Sequence, residues 1–389
     1  MKKKVCIVTG SRAEYGLLRP LMEQIKADNS FTLQVVVTGM HLSKQFGLTY
    51  KEILKDGFKI DAKINIKLAS DTSVGVSTSM GLAMIGFAKA YKKLNPDMVV
   101  VLGDRFEIFS ATAAAHVAKI PVAHLHGGEI TEGAFDDAFR HCISKMSYLH
   151  FTSTEDHKKR VIQLGESPDR VFNVGAIGLD NIKTIKLLSK EELEKELKFK
   201  FNKHNLLVTY HPVTLENDTA KGQFSALLEA LDLLKDTNVI FTKANADTNG
   251  KVINKMIDEY VKKNPGRSIA FASMGQLRYL SAMSCVDAVV GNSSSGLIEA
   301  PSFKIGTVNI GDRQKGRTKA ISVVDCSPNK EGIYNAINRV VNDEAFKDVL
   351  NTVVNPYGNG GTAVKIKDVL KAFNSSSLSL KKSFYDLRF

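Results

Sequence analysis

The sequence repeats one arrangement, a short run of apolar and β-branched residues followed by a longer stretch with helical periodicity. In the first half of the chain the apolar runs are residues 5–9, 33–38, 98–102, 122–125 and 149–152, and the helical stretches after them are 15–26, 44–55, 108–118, 139–146 and 156–164. The runs are continuous rather than alternating, so both faces of each strand should be covered. The arrangement therefore predicts a parallel sheet with helices on both faces.

A second series of the same kind begins after residue 205. Its apolar runs are 206–210, 239–241, 269–271, 288–290 and 307–310, separated by helical stretches at 224–234, 252–261, 277–284 and 333–341. At 389 residues the chain also exceeds one ordinary core. We predict an α/β fold of two Rossmann-like doubly wound domains facing across a cleft. The first would comprise residues 1–178 and the C-terminal tail 370–389, and the second residues 179–369.

Composition and cysteine usage predict a cytoplasmic protein. Hydrophobic residues make up 43% and charged residues 24% of the chain, as in ordinary globular domains. No apolar run reaches the roughly 18 residues of a membrane span, and the run at 5–8 is too short for a signal peptide. Cys6, Cys142, Cys285 and Cys326 are far apart, which argues against disulfides and a zinc site.

The formal net charge is +12, which raises the question of nucleic-acid binding. The lysines are instead mixed with acidic residues along helical segments, as at 190–195. This pattern is typical of a solvated surface, and we predict no nucleic-acid partner. The alternative is that the excess charge attracts a polyanionic small molecule.

Ligands in such folds bind beyond the carboxyl ends of the strands. After the first run, a short turn leads to Arg12 and opens a helix, an arrangement that favours anions. It lacks the G-x-G-x-x-G dinucleotide pattern, and a plain tight turn with Arg12 in solvent is the alternative. After the run at 98–102 come Asp104 and Arg105. Their functional interpretation competes with Asp104 acting as a helix N-cap.

The densest group of chemical side chains follows the run at 122–125. His124 and His126 would share a face if the chain stays extended, and Asp136 and Arg140 would share a helix face. With Glu129, these acids, imidazoles and cation suit proton transfer. Zinc binding by His-x-His plus glutamate and purely structural hydrogen bonding remain open as alternatives.

The second series contains a candidate diphosphate site. The run at 288–290 leads into a loop of small and hydroxyl residues, Gly291, Asn292, Ser293, Ser294, Ser295 and Gly296. Such a loop lets backbone amides approach phosphate. Glu299, one turn later, suits ribose hydroxyls, Arg313 follows the next strand, and His211 follows the run at 206–210.

Eight ordered segments resemble the hydrolysing UDP-N-acetylglucosamine 2-epimerases, above all the bacterial branch that begins sialic-acid or legionaminic-acid synthesis. The segments are residues 10–16, 37–41, 103–105, 124–129, 140–141, 211–212, 291–299 and 309–314. The resemblance extends over nearly the whole chain. It implies a GT-B type fold, no metal or other cofactor, no membrane, and a homodimer or homotetramer.

The resemblance also implies a reaction. A base removes the C2 proton of UDP-N-acetylglucosamine, UDP leaves, and water adds to the 2-acetamidoglycal to give N-acetylmannosamine. The alternatives are the same reaction on UDP-2,4-diacetamido-2,4,6-trideoxyglucose, a GT-B glycosyltransferase, or a non-catalytic sugar-nucleotide sensor. Turnover without an acceptor would distinguish the two epimerase reactions from the glycosyltransferase and the sensor.

The resemblance and the residue patterns together give one set of site residues. The predicted catalytic residues are Asp104, His124, His126, Glu129, Asp136 and Arg140. The predicted UDP-sugar-binding residues are Arg12, His41, Arg105, His211, Asn292, Ser293, Ser294, Ser295, Gly296, Glu299 and Arg313. The chain departs from much of the family at His126, where a catalytic glutamate is usual. Either His126 replaces it directly, or Glu129 reaches in across Gly127 and Gly128.

Overall fold

A computed structural model describes residues 2–68, 72–131, 136–212, 219–244, 250–373 and 380–387. The chain divides into two compact units. Unit 1 contains residues 1–129, 135–181 and 357–389, and unit 2 contains residues 130–134 and 182–356. The short stretch at 130 groups with unit 2 in part because Arg317 Nε donates to the Ile130 carbonyl at 3.2 Å.

Unit 1 is built on a parallel sheet of seven strands. They are β1 (Lys3–Thr9), β2 (Phe31–Thr38), β3 (Ala62–Ile64), β4 (Met98–Leu102), β5 (Val122–Leu125), β6 (Leu149–Thr152) and β7 (Val171–Asn173). Their order across the sheet is β3-β2-β1-β4-β5-β6-β7. The helices between them are α1 (Arg12–Ala27), α2 (Tyr50–Lys55), α3 (Ser73–Leu94), α4 (Phe106–Val117), α5 (Asp136–Met146) and α6 (Glu155–Gln163).

Unit 2 contains a parallel sheet of six strands. They are β8 (His204–Thr209), β9 (Thr237–Thr242), β10 (Ser268–Phe271), β11 (Ala288–Gly291), β12 (Gly306–Ile310) and β13 (Val323–Cys326), in the order β10-β9-β8-β11-β12-β13. The helices from the boundary onward are α7 (Leu179–Thr184), α8 (Lys190–Leu197), α9 (Ala220–Asp232), α10 (Gly250–Lys263), α11 (Gly275–Cys285), α12 (Ser295–Ile298), α13 (Lys330–Asn342) and α14 (Glu344–Thr352).

The last helix, α15 (Thr362–Ala372), returns to unit 1. Its residues Ala363 and Ile366 are buried in the core beside α1. Its first turn is capped by Asp180, whose two carboxylate oxygens accept from the amides of Thr362 at 2.9 Å and Ala363 at 2.7 Å. The chain thus rejoins unit 1 at residue 357, earlier than the predicted tail at 370, and leaves it at 181 rather than 178.

Strand residues alternate between two cores, one on each face of the sheet. In β1, Val5 and Ile7 lie in one core and Cys6 and Val8 in the other, and all four are fully buried. Unit 2 repeats this division, with Leu206 and Leu207 of β8 in different cores. Burial on both faces explains why the apolar runs are continuous. The predicted pair of Rossmann-like parallel-sheet units is confirmed.

The predicted helix at 44–55 is only partly correct. A 3₁₀ turn covers Lys44–Phe46, and α2 begins only at Tyr50. Gly47 and Leu48, between them, both have left-handed backbone angles, so a continuous α-helix cannot form there. The structure also contains β3, α3, β7 and β13, which the sequence pattern did not predict.

Candidate functional site

The candidate residues of unit 1 follow the central strands of its sheet. Because β2, β1, β4 and β5 are neighbours and parallel, the turns after them meet at one edge. These turns begin at Gly39, Gly10, Gly103 and His126, respectively. The sheet order thus explains why residues far apart in sequence become neighbours.

Arg140 joins the ends of β4 and β5. It lies on α5, is buried, and donates from Nη2 to Asp104 Oδ2 and from Nη1 to the His126 carbonyl at 3.1 Å. Its Nη1 also lies 3.7 Å from Glu129 Oε2. One guanidinium thereby fixes the orientation of Asp104 and the path of the chain through His126.

His126 adopts a backbone conformation that redirects its side chain. Strand β5 ends at Leu125, and His126 has a φ of 64°, in the left-handed region. The prediction that His124 and His126 share a face is therefore wrong, because the chain is not extended through His126. Nδ1 of His126 lies 3.0 Å from Glu129 Oε1, and the Ile177 amide donates to Nε2 at 3.4 Å. The amide donor assigns the ring hydrogen to Nδ1.

A chain of two hydrogen bonds, through two residues that the sequence analysis did not identify, fixes the side chain of Glu129. Ser153 Oγ donates to Glu129 Oε1 at 2.9 Å and accepts from His157 Nδ1 at 2.9 Å. All three side chains are buried. Glu129 therefore orients His126 and Arg140 from a fixed position. Because its two ring nitrogens are engaged by Glu129 and the Ile177 amide, His126 is better suited to positioning its neighbours than to proton transfer.

His124 contacts a different set of groups. Its Nε2 donates to the Gly103 carbonyl at 2.8 Å, which assigns Nδ1 as the acceptor from Ser144 Oγ at 3.0 Å. Burial lowers the pKa of His124 to about 3, so the ring is neutral. Both ring nitrogens of His124 are hydrogen-bonded, so His124 is better placed to stabilise the turn between β4 and α4 than to transfer protons.

Asp136 has the properties of a general acid or base. It is half-buried in the first turn of α5. Burial, and next the charge of Asp104, raise the pKa of Asp136 to about 7, against the opposing effect of Arg105. A carboxyl group that titrates near neutrality can both accept and donate a proton under physiological conditions.

The turns after β1 and β2 contain the other predicted residues of unit 1. His41 is buried between the hydroxyls of Thr9 and Thr49, at 3.0 and 2.8 Å from its two ring nitrogens. Burial lowers the pKa of His41 to about 4. Arg12 at the start of α1 is partly exposed, with Nη1 3.8 Å from Glu52 Oε1. Arg105 donates from Nε to Glu107 Oε1 at 2.7 Å.

In unit 2 the ends of β8 and β11 are joined at Asn292. Asn292 Oδ1 accepts from the His211 amide at 2.7 Å, and Nδ2 donates to the His211 carbonyl at 2.8 Å. Gly291, with a φ of 134°, allows this contact, because a Cβ there would lie 1.9 Å from the Thr209 carbonyl oxygen. The loop is thus positioned by its first two residues.

Arg313 and Gln314 support the same loop from the end of β12. Arg313 Nη1 and Gln314 Nε2 both donate to the Asn292 carbonyl, at 3.0 and 2.8 Å. Burial, and next the charge of Arg313, lower the pKa of His211 to about 3. His211 is therefore a neutral donor or acceptor beside a cation.

The serines of the loop leave backbone donors available. Among the described residues, the amides of Ser293 and Ser294 donate to no hydrogen bond. Ser295 Oγ lies 3.1 Å from Ser293 Oγ and 2.5 Å from the hydroxyl of Tyr279, a residue that sequence analysis missed. Helix α12 is only four residues long, so local amides contribute more here than a helix dipole does.

The model of the family described as UDP-N-acetylglucosamine 2-epimerase matches residues 23–371. The chain belongs to the UDP-N-acetylglucosamine 2-epimerase family. The resemblance predicted from the eight segments is thereby confirmed.

Curated relatives within this family of enzymes include hydrolysing 2-epimerases. A GDP/UDP-N,N'-diacetylbacillosamine 2-epimerase (hydrolyzing) of Campylobacter jejuni is 46% identical over 99% of this chain and 100% of its own length. The polysialic acid biosynthesis protein P7 of Escherichia coli is 40% identical over 99% and 98%, respectively. A UDP-N,N'-diacetylbacillosamine 2-epimerase (hydrolyzing) of Legionella pneumophila is 35% identical over 98% and 99%.

Solved structures of the 2-epimerase family share the fold. The Neisseria meningitidis UDP-GlcNAc 2-epimerase bound to UDP-GlcNAc has a TM-score of 0.82 at 20% identity, over 95% of this chain and 100% of that one. A Listeria monocytogenes structure has a TM-score of 0.81 at 19% identity, over 96% of both chains. These matches confirm the predicted GT-B-like fold class.

The described ranges contain neither a candidate membrane span nor a candidate metal cluster. No helix within them is both long and apolar enough to cross a bilayer. Within the same ranges, no three His, Cys, Asp or Glu side chains form a group suited to hold a metal ion.

Proposed function

We propose that this protein is a hydrolysing 2-epimerase with UDP-N,N'-diacetylbacillosamine as its preferred substrate. This sugar is the 2,4-diacetamido-2,4,6-trideoxyglucose considered as an alternative above. The relatives at 46% and 35% identity are named for it, whereas the relative named for UDP-N-acetylglucosamine in Neisseria meningitidis is 28% identical. These identities favour the diacetamido sugar over UDP-N-acetylglucosamine, which becomes the second candidate.

Unit 2 holds the leaving group in this proposal. The amides of Ser293 and Ser294 donate to the diphosphate, Arg313 adds a cation beside them, and Glu299 accepts from the ribose. A C2–H bond is a very weak acid, so the barrier falls mainly through stabilisation of the departing UDP. Donors that are already positioned by Asn292 need little reorganisation when that charge develops.

Unit 1 performs the proton transfers. Asp136 accepts the C2 proton, the C2–H electrons form the C1=C2 double bond, and the C1–O electrons leave with UDP. Water then adds to the glycal, with its hydroxyl at C1 and a proton delivered to C2 on the opposite face. Asp104 is ion-paired with Arg140, whereas Asp136 titrates near neutrality. Two carboxyl groups in such different environments suit separate acid and base roles.

The observation that carries the proposal is the combination of Asp136, with its pKa near 7, and the Asp104–Arg140 ion pair at the same sheet edge. His126 and Glu129 then act on Arg140 and the β5 turn, rather than on the substrate. The predicted homodimer or homotetramer and the cytoplasmic location stay predictions; light scattering on the purified protein would test the former.

Product analysis tests the function. Purified protein is incubated in D₂O with UDP-N,N'-diacetylbacillosamine, its GDP counterpart or UDP-N-acetylglucosamine, without an acceptor, and the products are followed by NMR. We expect UDP and a free 2-epimer with one deuterium at C2, and the highest kcat/KM for the diacetamido substrate. Turnover only with an acceptor would favour a glycosyltransferase, and binding without turnover would favour a sensor.

The role of Asp136 is tested by a pair of adjacent variants. Asp136→Asn should lower kcat by about 10²- to 10⁴-fold, the usual contribution of general acid–base catalysis. Asp137→Asn is the matched control, since Asp137 lies 3.4 Å from His141 on the same helix. Equal activities of the two variants would rule out Asp136 as the base.

A further inference from the structure

Three charged side chains beside the turns that follow β1 and β4 form a cluster that has no role in the mechanism proposed above. Glu14 comes from α1, and Arg105 and Glu107 come from the start of α4. Arg105 Nε donates to Glu107 Oε1 at 2.7 Å and lies 3.8 Å from Glu14 Oε1. The other oxygen of Glu14, Oε2, accepts from the Gly10 amide at 2.7 Å.

The two carboxyl groups of this cluster are buried with unsatisfied oxygens. Glu107 is fully buried and Glu14 is nearly so. Within the described part of the chain, Glu14 Oε1 and Glu107 Oε2 have no hydrogen-bond partner. Two ionised carboxylates beside one guanidinium would leave a buried charge uncompensated, which is costly. A single proton held by the pair removes that charge.

Packing around Glu107 leaves no room for another counter-ion on the side of the β1 turn. A Cβ at Gly10 would lie 2.6 Å from Glu107 Oε1, so only glycine fits there. Burial, and next the charge of Glu107, raise the pKa of Glu14 to about 8. This value already includes the lowering effects of Arg105 and the Gly10 amide and a smaller raising effect of Asp104.

The outer edge of Arg105 is available to a ligand. Its side chain is 37% exposed, and neither Nη atom donates a hydrogen bond to any described residue. A guanidinium held at Nε presents its two Nη groups in a planar fork that matches phosphate oxygens. The buried carboxyl groups thus determine the direction in which that fork points.

We infer that Glu14 and Glu107 share one proton behind Arg105 and act as positioning residues that keep its outer edge available to the diphosphate of the substrate. This inference rests on the proposed function, since it needs a UDP-sugar to bind. It assigns Glu14 and Glu107 no contact with the reacting atoms.

The shared proton makes diphosphate binding depend on pH. With the proton present, the cluster of Arg105 and two carboxyl groups is neutral; without it, the cluster is negative and repels a diphosphate. The bound anion in turn raises the pKa of Glu14, so binding takes up a proton and weakens as the pH rises above about 8. Asp136 faces Arg105, but its pKa of about 7 leaves it mostly ionised above pH 8. His41 lies beside the Gly10 turn and is neutral throughout this range.

Calorimetry of UDP binding tests the inference. The UDP phosphates are ionised above pH 7.5 and the uracil ring keeps its N3 proton up to pH 8.5, so titrations at pH 7.5, 8.0 and 8.5, in two buffers of different ionisation enthalpy, report protons taken up by the protein. We expect the wild-type Kd to rise by up to about tenfold per pH unit above 8, with uptake of part of one proton. Glu14→Gln, which cannot ionise, should abolish both effects and retain the affinity measured at pH 7.5.

Two further variants define the outcomes. Glu23→Gln on the same helix, in an exposed pair with Arg19, should behave as wild type. Arg105→Ala should lower UDP affinity at pH 7.5 by tenfold or more. Identical pH profiles for wild type and Glu14→Gln, or no effect of Arg105→Ala, would overturn the inference while leaving the proposed function intact. No UDP binding by the wild-type protein would overturn both.

Discussion

At the scale of single residues, His126 stands where the resemblance implies a catalytic glutamate, yet its ring is engaged on both sides. Glu129 holds Nδ1 and the Ile177 amide reaches Nε2. The His126 carbonyl also accepts from Arg140. Through Arg140, these contacts link His126 to the orientation of Asp104. Both ring nitrogens are engaged, so neither is available to act on the substrate. A substitution there should therefore affect the chemical step through geometry.

We predict that His126→Ala lowers kcat on the order of 10²-fold, the size expected when catalytic groups are displaced by about 1 Å. UDP affinity should change less than about threefold, because the hydrogen bonds of His126 join it to none of the described residues proposed to bind the diphosphate. Steady-state kinetics and calorimetry measure the two quantities. His116→Ala, an exposed histidine on α4, is the control. Equal losses of rate and affinity would instead indicate a binding role.

The residues of the candidate site differ in how far the sequence could predict them. Asp104 follows a predicted strand, Arg140 lies in a predicted helix, and Asp136 lies one turn before Arg140, so their convergence at one sheet edge follows from topology. Ser153 and His157 support Glu129 across β6 and α6, and no local pattern indicates such a contact. The orientation of His126 depends on its positive φ, which a histidine adopts only when its surroundings stabilise it.

At the scale of elements, the described part of the C-terminal tail is fastened to unit 1 through one buried carboxylate. Glu166 accepts from His150 Nε2 at 3.0 Å, Lys145 at 2.8 Å and Lys382 at 2.7 Å. Lys382 also donates to the carbonyls of Lys145 and Ser147, both at 2.7 Å. Three hydrogen bonds donated by one ammonium make Lys382 the principal polar anchor of the described part of this segment.

We predict that Lys382→Met lowers the free energy of unfolding by about 1–3 kcal/mol, because it leaves buried acceptors without a donor. Burial acts to raise the pKa of Glu166, but the hydrogen bonds from His150, Lys145 and Lys382 lower it to about 2. A lowered carboxyl pKa stabilises the fold above its unfolded value, near 4.3, and this contribution is lost as the pH falls toward 2. The difference between wild type and variant should therefore shrink at low pH.

Denaturant unfolding followed by circular dichroism at pH 7 and pH 3 measures this difference. Lys89→Met, an exposed lysine on α3, controls for the general effect of replacing lysine by methionine. A Lys382 variant as stable as this control at pH 7 would show that the tail anchor does not stabilise the fold.

The predictability of the elements depended on length and burial. The long central strands are buried on both faces and gave clear apolar runs, whereas β3 and β7 are three residues each and too short to show one. Helix α3 contains three glycines among its 22 residues, which obscures its periodicity. Helix α15 has a regular pattern, but a pattern does not indicate which sheet a helix packs against.

At the scale of the whole molecule, the net charge of +12 is opposite in sign to that of the polyanionic substrate in the proposed function. Long-range attraction of this kind raises the rate of encounter and is screened over about 8–10 Å at physiological salt. We predict that kcat/KM falls about three- to tenfold between 50 and 500 mM potassium chloride, while kcat changes little. Potassium glutamate serves as a control for chloride binding. A salt-independent kcat/KM would show that the charge is unrelated to substrate capture.

The two-unit organisation followed from chain length and from two series of strand–helix repeats. The place where the chain returns to unit 1 did not, because it depends on contacts such as that of Asp180 with the first turn of α15. Such contacts join residues about 180 positions apart, and no local pattern indicates them.

The return of α15 has a consequence for synthesis on the ribosome. Ile366 and Leu370 belong to the same core as β1, so that core lacks part of its apolar surface until residue 370 has been translated. At about 5–20 residues per second, this delay after residue 181 lasts roughly 10–40 seconds. Residues 182–356, which form all but a short stretch of unit 2, are synthesised within that interval. Until then, the core of the nascent N-terminal half keeps part of its apolar surface exposed to solvent. This half is therefore where a chaperone would cover the most apolar surface.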